Sequence, residues 1–278
     1  MHNYVSQKFD SNDPLLVSIL DDLPLWSAPF GLRLLDSVLM KPKMNVLDLG
    51  CGAGFPLIEL ANRMGASCQI YGIDPWFAAL KRAQLKAHGQ ALSNVALIQA
   101  LGEHLPFPAL FFHLIVSNNG INNVSDPEAV LAECARVSQP HAQFILTVNL
   151  PGTMKEFYQI FEQTLSEMGK RREIDEMHKH IHEKRRPLHQ TLKMITTAGF
   201  RIKKIHEDHF SMSFLDGSAM FGHFFIKLAF LESWEKILSP EDRKPVFEIV
   251  EQKLNRIAHM NGALHLTIPY VCIVCRKM

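Results

Sequence analysis

Along this chain, short apolar runs give way repeatedly to stretches with a period of about 3.6 residues, the two rhythms of strand and helix. The clearest case is Val46-Leu47-Asp48-Leu49, followed by glycine at every second position, Gly50, Gly52 and Gly54. A helical pattern opens behind it at Phe55-Pro56-Leu57-Ile58-Glu59-Leu60-Ala61. The spacing predicts a buried strand, a tight turn and a helix start, whose free N–H groups point at whatever sits there. Four more runs read as strands: Cys68–Asp74, Val95–Ala100, His113–Asn119 and Gln143–Val148. Pro75 falls in the first turn of the helix after the second strand. Ser125-Asp126-Pro127-Glu128 caps a helix that runs to Val137. Such strand–helix alternation predicts an α/β fold on a parallel sheet.

The flanks read differently. Residues 12–23 place Leu15, Leu16, Ile19, Leu20 and Leu23 on one helical stripe, and Pro24 stops that helix. Leu25–Gly31 reads as a loop, and a second helix spans Leu32–Met40, ended by Pro42. Beyond the fifth strand the pattern gives a helix over Met154–Met168, a charged run from Lys170 to Arg186, and a helix over Leu188–Ala198 closed by Gly199. Phe200–His206 and Leu266–Cys275 read as strands six and seven, with roughly sixty residues between them. That insertion holds a capping box at Ser239-Pro240-Glu241-Asp242, then a stripe of Val246, Phe247, Val250, Leu254 and Ile257. Before it comes an aromatic stretch with Met212, Phe214, Met220, Phe221, Phe224, Phe225, Phe230 and Trp234. The expected organisation is one domain over 1–278: a helical arm at 1–42, a core at 43–207 and 265–278, and a helical cap at 208–264. The aromatic cap could equally form a dimer interface or a simple core.

Composition narrows the function. A hydrophobic content of 47% and a charged content of 21% are those of an ordinary globular chain. A net charge of +1 gives no general attraction to nucleic acid or acidic lipid. MHNYVSQKFD carries no apolar signal region, and Ala219–Leu231, with His223 and Lys227, is too short to span a bilayer. Five scattered cysteines suggest free thiols and a cytoplasmic protein. Cys272 and Cys275 are spaced onto opposite faces of a strand and no second pair completes a zinc site, so no metal is expected. His178, His180 and His182 lie in a run of seven basic and four acidic residues that reads as a solvated, salt-bridged helix.

The glycine turn carries the chemistry. A dinucleotide fingerprint needs a third small residue where Phe55 stands, and a phenyl ring there blocks close packing. Asp48 puts a carboxylate just before the turn, which suits a cationic ligand better than a pyrophosphate. Asp74, 20 residues after Gly54, stands at the end of the second strand, where a carboxylate can accept both ribose hydroxyls of a nucleoside. It could also cap the following helix.

The stretches VLDLGCGAG at 46–54, YGIDPW at 71–76, GEHLPF at 102–107 and NGINNVSDPEAVLAECARV at 119–137 resemble the class I S-adenosylmethionine-dependent methyltransferases, in that family's order. The resemblance implies a Rossmann-like seven-stranded sheet with helices on both faces, S-adenosylmethionine as cofactor and S-adenosylhomocysteine as product. It places Asp48, Gly50, Cys51, Gly52, Asp74 and Pro75 at the cofactor. An acidic residue that commonly contacts the adenine is replaced here by Leu101, which leaves that contact to backbone groups of Leu101 and Gly102 or to Glu103. Asn118 and Asn119, beyond the fourth strand, are expected to face the sulfonium or the acceptor. The run 119–124 also looks like the quinone-biosynthesis C-methyltransferases, with Asn122 where they carry an arginine, and hints at an apolar, ring-containing acceptor. Trp26 and Phe30 read as core packing of the arm, with a pocket wall as the alternative. His104, His209 and His223 are candidate bases, and the sequence selects no catalytic residue.

The leading expectation is an enzyme that methylates a small molecule by in-line transfer, with no nucleic-acid partner and no membrane span, possible as a homodimer through the cap. The alternatives are a macromolecular acceptor docked on 170–186, or a non-catalytic cofactor-binding protein.

Overall fold

A computed structural model of the protein describes residues 4–5, 9–22 and 25–278. The expected stop at Leu23-Pro24 lies outside the described residues. In chain order the elements begin with α1 (Pro14–Asp22), α2 (Ser27–Asp36), β1 (Asn45–Leu49), α3 (Leu57–Met64), β2 (Gln69–Asp74) and α4 (Phe77–Gly89). They continue with β3 (Val95–Gln99), β4 (Phe112–Asn118), α5 (Pro127–Val137), β5 (Ser138–Asn149), α6 (Lys155–Glu167), α7 (Arg171–Lys184) and α8 (Leu188–Thr197). The last are β6 (Phe200–Phe214), α9 (Gly217–Gly222), α10 (Phe224–Ile226), α11 (Glu232–Glu235), α12 (Pro240–Asn261) and β7 (Leu264–Lys277).

The seven strands form one sheet in the order β3-β2-β1-β4-β5-β7-β6. Strands β1 to β5 pair in parallel, and β7 runs antiparallel to β5, from Gln143 opposite Arg276 to Asn149 opposite Tyr270. Alternation sorts the side chains between the faces. On one face Val46, Ile70, Leu114, Val116, Ile145, Cys272 and Val274 pack with Leu34 and Leu35 of α2, Leu57, Leu60 and Ala61 of α3 and Leu80 of α4. On the other, Leu47, Leu49, Ile115 and Phe144 are buried, and Phe144 meets Phe200 at 4.9 Å.

The chain divides into two compact units. The first comprises residues 10–149, 187–208 and 270–278 and contains most of the sheet. The second comprises residues 1–9, 150–186 and 209–269. The aromatic stretch of the insertion builds a core for this second unit: Phe157, Phe161, Phe221, Trp234 and Phe247 are fully buried. Trp234 stacks on Phe157 at 4.0 Å, and Phe221 meets Phe247 at 5.7 Å.

Several boundaries shift from the expectation. In α1, Leu16 and Val17 are buried while Leu15 and Ile19 face solvent, so the stripe is rotated. The polar side of that helix holds α4: Asp21 accepts from Arg82 Nε at 2.8 Å and Lys86 Nζ at 2.6 Å. Helix α2 starts at Ser27, earlier than expected, because Pro29 sits in its first turn, where no N–H is needed. Pro75 precedes the N-cap Trp76 and lies outside α4. The Ser239 side chain makes no capping bond and donates to Asp242 Oδ2 at 2.7 Å. Asp126 does cap α5, through Ala129 N–H at 3.0 Å. β6 extends to Phe214, and no single helix among the described residues is long and apolar enough to cross a membrane. The five cysteines are buried free thiols.

Candidate active site

The order in which successive strands are added reverses between the parallel β1 and β4, and ligands of open α/β sheets bind beyond the carboxyl ends of the strands at such a point. The glycine turn after β1 and Asp74 at the end of β2 lie at that edge. Gly50 and Cys51 follow β1 and both donate their N–H to Ile73 O, at 2.9 and 3.0 Å. Gly52 N–H donates to Asp74 Oδ2 at 2.9 Å, and Gly54 N–H to Cys51 O at 2.8 Å. The turn therefore spends the N–H groups of Gly50, Cys51 and Gly52 on the end of β2.

Asp74 is half-buried, and its second oxygen, Oδ1, accepts from Trp76 N–H at 2.8 Å. Burial raises its pKa while the two N–H donors oppose the shift. Each oxygen uses one lone pair, which leaves the other free for a ligand hydroxyl. The carboxylate is held by the turn and by its own Asx-turn, and it does not cap α4.

Asp48 is the most unusual group here. It is wholly buried near the carboxyl end of β1, opposite Gly72 of β2 and Val116 of β4, and neither carboxylate oxygen has a hydrogen-bond partner among the described residues. Burial and the charge of Asp74 raise its pKa to about 8, against the opposing dipole of Leu57 N–H at the start of α3. A buried carboxylate without a partner is a poor structural element and a good receptor for a cation.

Three glycines that the sequence did not single out shape this edge. A Cβ on Gly72 would lie 2.8 Å from Cys51 Sγ and 2.9 Å from both Leu57 Cδ1 and Leu97 Cδ2. One on Gly120 would lie 2.8 Å from Leu49 O and from Ser117 Oγ. One on Gly31 would overlap the Phe55 ring, so Phe55 packs on α2 where the fingerprint would have a small residue. Nothing lies within 4 Å of a Cβ on Gly52, so the turn has open space there. No sequence rule separates these glycines from ordinary turn and strand residues.

After β3, the Leu101 side chain is exposed and Gly102 is buried between Leu49 and Val130. Glu103 leans on Asp126 N–H at 3.3 Å. Arg136 of α5 ties this loop down by donating to Phe107 O at 2.8 Å and Leu105 O at 3.0 Å. The N–H groups of Leu101 and Gly102 carry no bond among the described residues, whereas Leu101 O accepts from His104 N–H at 3.3 Å.

Asn118 is held by the protein on both sides of its amide. Its Oδ1 accepts from Thr147 Oγ1 at 2.9 Å and its Nδ2 donates to Ser27 O at 3.1 Å, so it fastens α2 to the sheet. The next residue, Asn119, adopts a left-handed conformation with φ 60°. Asn122 Nδ2 donates to Asn119 Oδ1 at 2.6 Å and to Asn149 Oδ1. Phe30 is fully buried against Tyr270 at 4.9 Å, as packing requires, and Trp26 leans on it at 5.7 Å. His104 is exposed. His209 and His223 belong to the second unit, where His223 is half-buried with its pKa lowered by burial.

Sheet order, antiparallel β7, glycine turn and the carboxylate closing β2 together define a nucleoside-binding α/β protein of the class I methyltransferase kind. The comparisons agree: the chain belongs to the methyltransferase domain family, whose profile matches residues 40–209. It is 32% identical over 125 residues to a demethylmenaquinone methyltransferase of Geobacillus kaustophilus, covering 43% of this chain and 53% of that protein. It is 31% identical over 123 residues to the nocamycin O-methyltransferase of Saccharothrix syringae, covering 44% of each. The chain thus spans about half the length of the curated relatives it matches. Among solved structures, a SAM dependent methyltransferase from Aquifex aeolicus shares the fold with a TM-score of 0.53 at 22% identity, over 71% of this chain and 92% of that one.

Proposed function

We propose that the protein transfers a methyl group from S-adenosylmethionine to a small, apolar or ring-containing molecule. The observation that carries the reading is the pair of carboxylates at the ends of β1 and β2: Asp48, buried and without a partner, and Asp74, fixed by two N–H groups. Asp48, protonated below about pH 8 in the free protein, gives up its proton as the ammonium of the donor's methionine moiety arrives and then faces it as a carboxylate. Asp74 offers its spare lone pairs to the ribose hydroxyls. The N–H groups of Leu101 and Gly102 are available to the base. The bound donor supplies both the methyl group and its leaving group, so no nucleophilic residue is needed. The chain's work is to position the acceptor and exclude water.

For the acceptor, Asn119 Nδ2 and Asn149 Nδ2 as donors and Asn122 Oδ1 as acceptor, which carry no bond among the described residues, suit a hydroxyl or carbonyl. Relatives named for demethylmenaquinone and nocamycin support a small molecule. At the start of the basic run, Lys170 pairs with Asp242 at 2.5 Å, and within it His178 meets Glu162 at 3.1 Å. The test is transfer of radiolabelled methyl from S-adenosylmethionine into a panel of hydroxylated aromatics and quinols. The expected result is label in a small-molecule fraction. Label confined to protein or nucleic acid contradicts the reading.

A further inference from the structure

The second unit holds a cationic side chain with no counter-charge among the described residues. Arg185, just after α7, is only 3% exposed. Its Nη1 donates to Tyr158 Oη at 3.3 Å, and its guanidinium lies 5.6 Å from the centre of the Tyr158 ring. That is its whole complement of partners among the described residues. Nε is sealed from solvent, and among the described residues it has no acceptor and Arg185 forms no ion pair. Nη2 also has no partner among the described residues, yet it is not sealed off. The Nε–Nη2 edge is therefore unused, and it is the edge that matches the two oxygens of a carboxylate or phosphate.

The neighbours add donors and no negative charge. Trp234 Nε1 donates to the same Tyr158 Oη at 3.0 Å. That oxygen thus accepts twice, and its own proton has no acceptor among the described residues. His180 lies 6.5 Å from the Tyr158 ring, and burial, with the charges of Arg185 and Lys184, pushes its pKa down to about 4. It is neutral at physiological pH and supplies no counter-charge. Phe157, stacked on Trp234 at 4.0 Å, closes the apolar side. A buried charge with neither counter-ion nor full hydrogen bonding is strongly unfavourable. A knot of convergent donors beside aromatic rings meets its deficit when an oxyanion on an apolar body enters.

We infer that Arg185, Tyr158 and Trp234 form a binding site for a small organic oxyanion, a carboxylate or a phosphate ester carried on an aromatic or apolar group. The site stands on these residues alone and is independent of the methyl-donor reading.

The experiment uses the full chain with Trp26→Phe and Trp76→Phe, so that Trp234 is the only fluorophore of its kind. Benzoate and phenyl phosphate are the probes, with benzyl alcohol as the neutral control. The expected result is a saturable change in Trp234 emission with at least one anion and none with the alcohol. The tighter-binding anion tells carboxylate from phosphate. Arg185→Gln, which keeps a donor for Tyr158 and removes the charge, is expected to weaken binding at least tenfold while folding normally. Should that variant fail to fold, Tyr158→Phe, expected to weaken binding severalfold, decides instead. No saturable response to either anion in the folded protein overturns the inference. So does undiminished binding in Arg185→Gln or, failing that, in Tyr158→Phe.

Discussion

In the unfolded chain Asp48 ionises near 3.8, and in the folded protein burial and Asp74 hold its pKa up to about 8. Between those two values the folded state keeps a proton that the unfolded state has lost. Stability from this group is thus present below the unfolded pKa and declines as pH rises through the folded one. The urea midpoint is expected to fall between about pH 5 and about pH 8 in the wild type and to fall less in Asp48→Asn. Equal slopes would contradict the assignment. Asp48 and Asp74 were legible in the sequence because each carboxylate interrupts the end of an apolar run. Gly72 and Gly120 were not, because their role lies in what a Cβ would strike across the sheet. Gly120→Ala is expected to destabilise the protein by about 1–3 kcal/mol and to weaken cofactor binding, since the methyl group would meet the backbone oxygen of Leu49. Chemical denaturation and calorimetry check both effects.

Among the elements, those with both faces buried were read most accurately. β1, β2 and β4 lie under helices, so their apolar runs are continuous and their ends fall close to where the pattern stops. β6 is an edge strand whose Lys203, Lys204 and Ile205 are all exposed, so the alternation fails midway and the strand reads short. Charged residues on an edge are a common guard against pairing with other chains. α1 misled for a related reason: a short helix with apolar residues on several sides does not declare which side packs. The insertion was read as aromatic, and its rings close on one another as a core around Phe221. Tyr4 stacks on Phe221 at 4.7 Å, and Phe157 and Trp234 contact it at 6.1 and 6.4 Å. Phe221→Ala is expected to cost about 3–5 kcal/mol in a denaturant titration. A loss under about 1 kcal/mol would mean the rings do not form a close-packed core.

For the whole molecule, a net charge of +1 gives no general attraction to nucleic acid. Methyl-transfer activity on a small acceptor is expected to change less than about twofold between about 50 and 200 mM salt, where a phosphate-tracking enzyme loses orders of magnitude. Everything functional rests on the carboxyl edge of β1 and β2 receiving a cationic nucleoside. The most direct measurement is calorimetric titration of S-adenosylmethionine into the wild type and into Asp74→Ala. The account predicts saturable one-to-one binding in the wild type and a loss of at least about tenfold, or about 1.4 kcal/mol, in the variant. A folded wild-type protein that takes up no S-adenosylmethionine, or a folded Asp74→Ala protein that binds it equally well, would contradict the account.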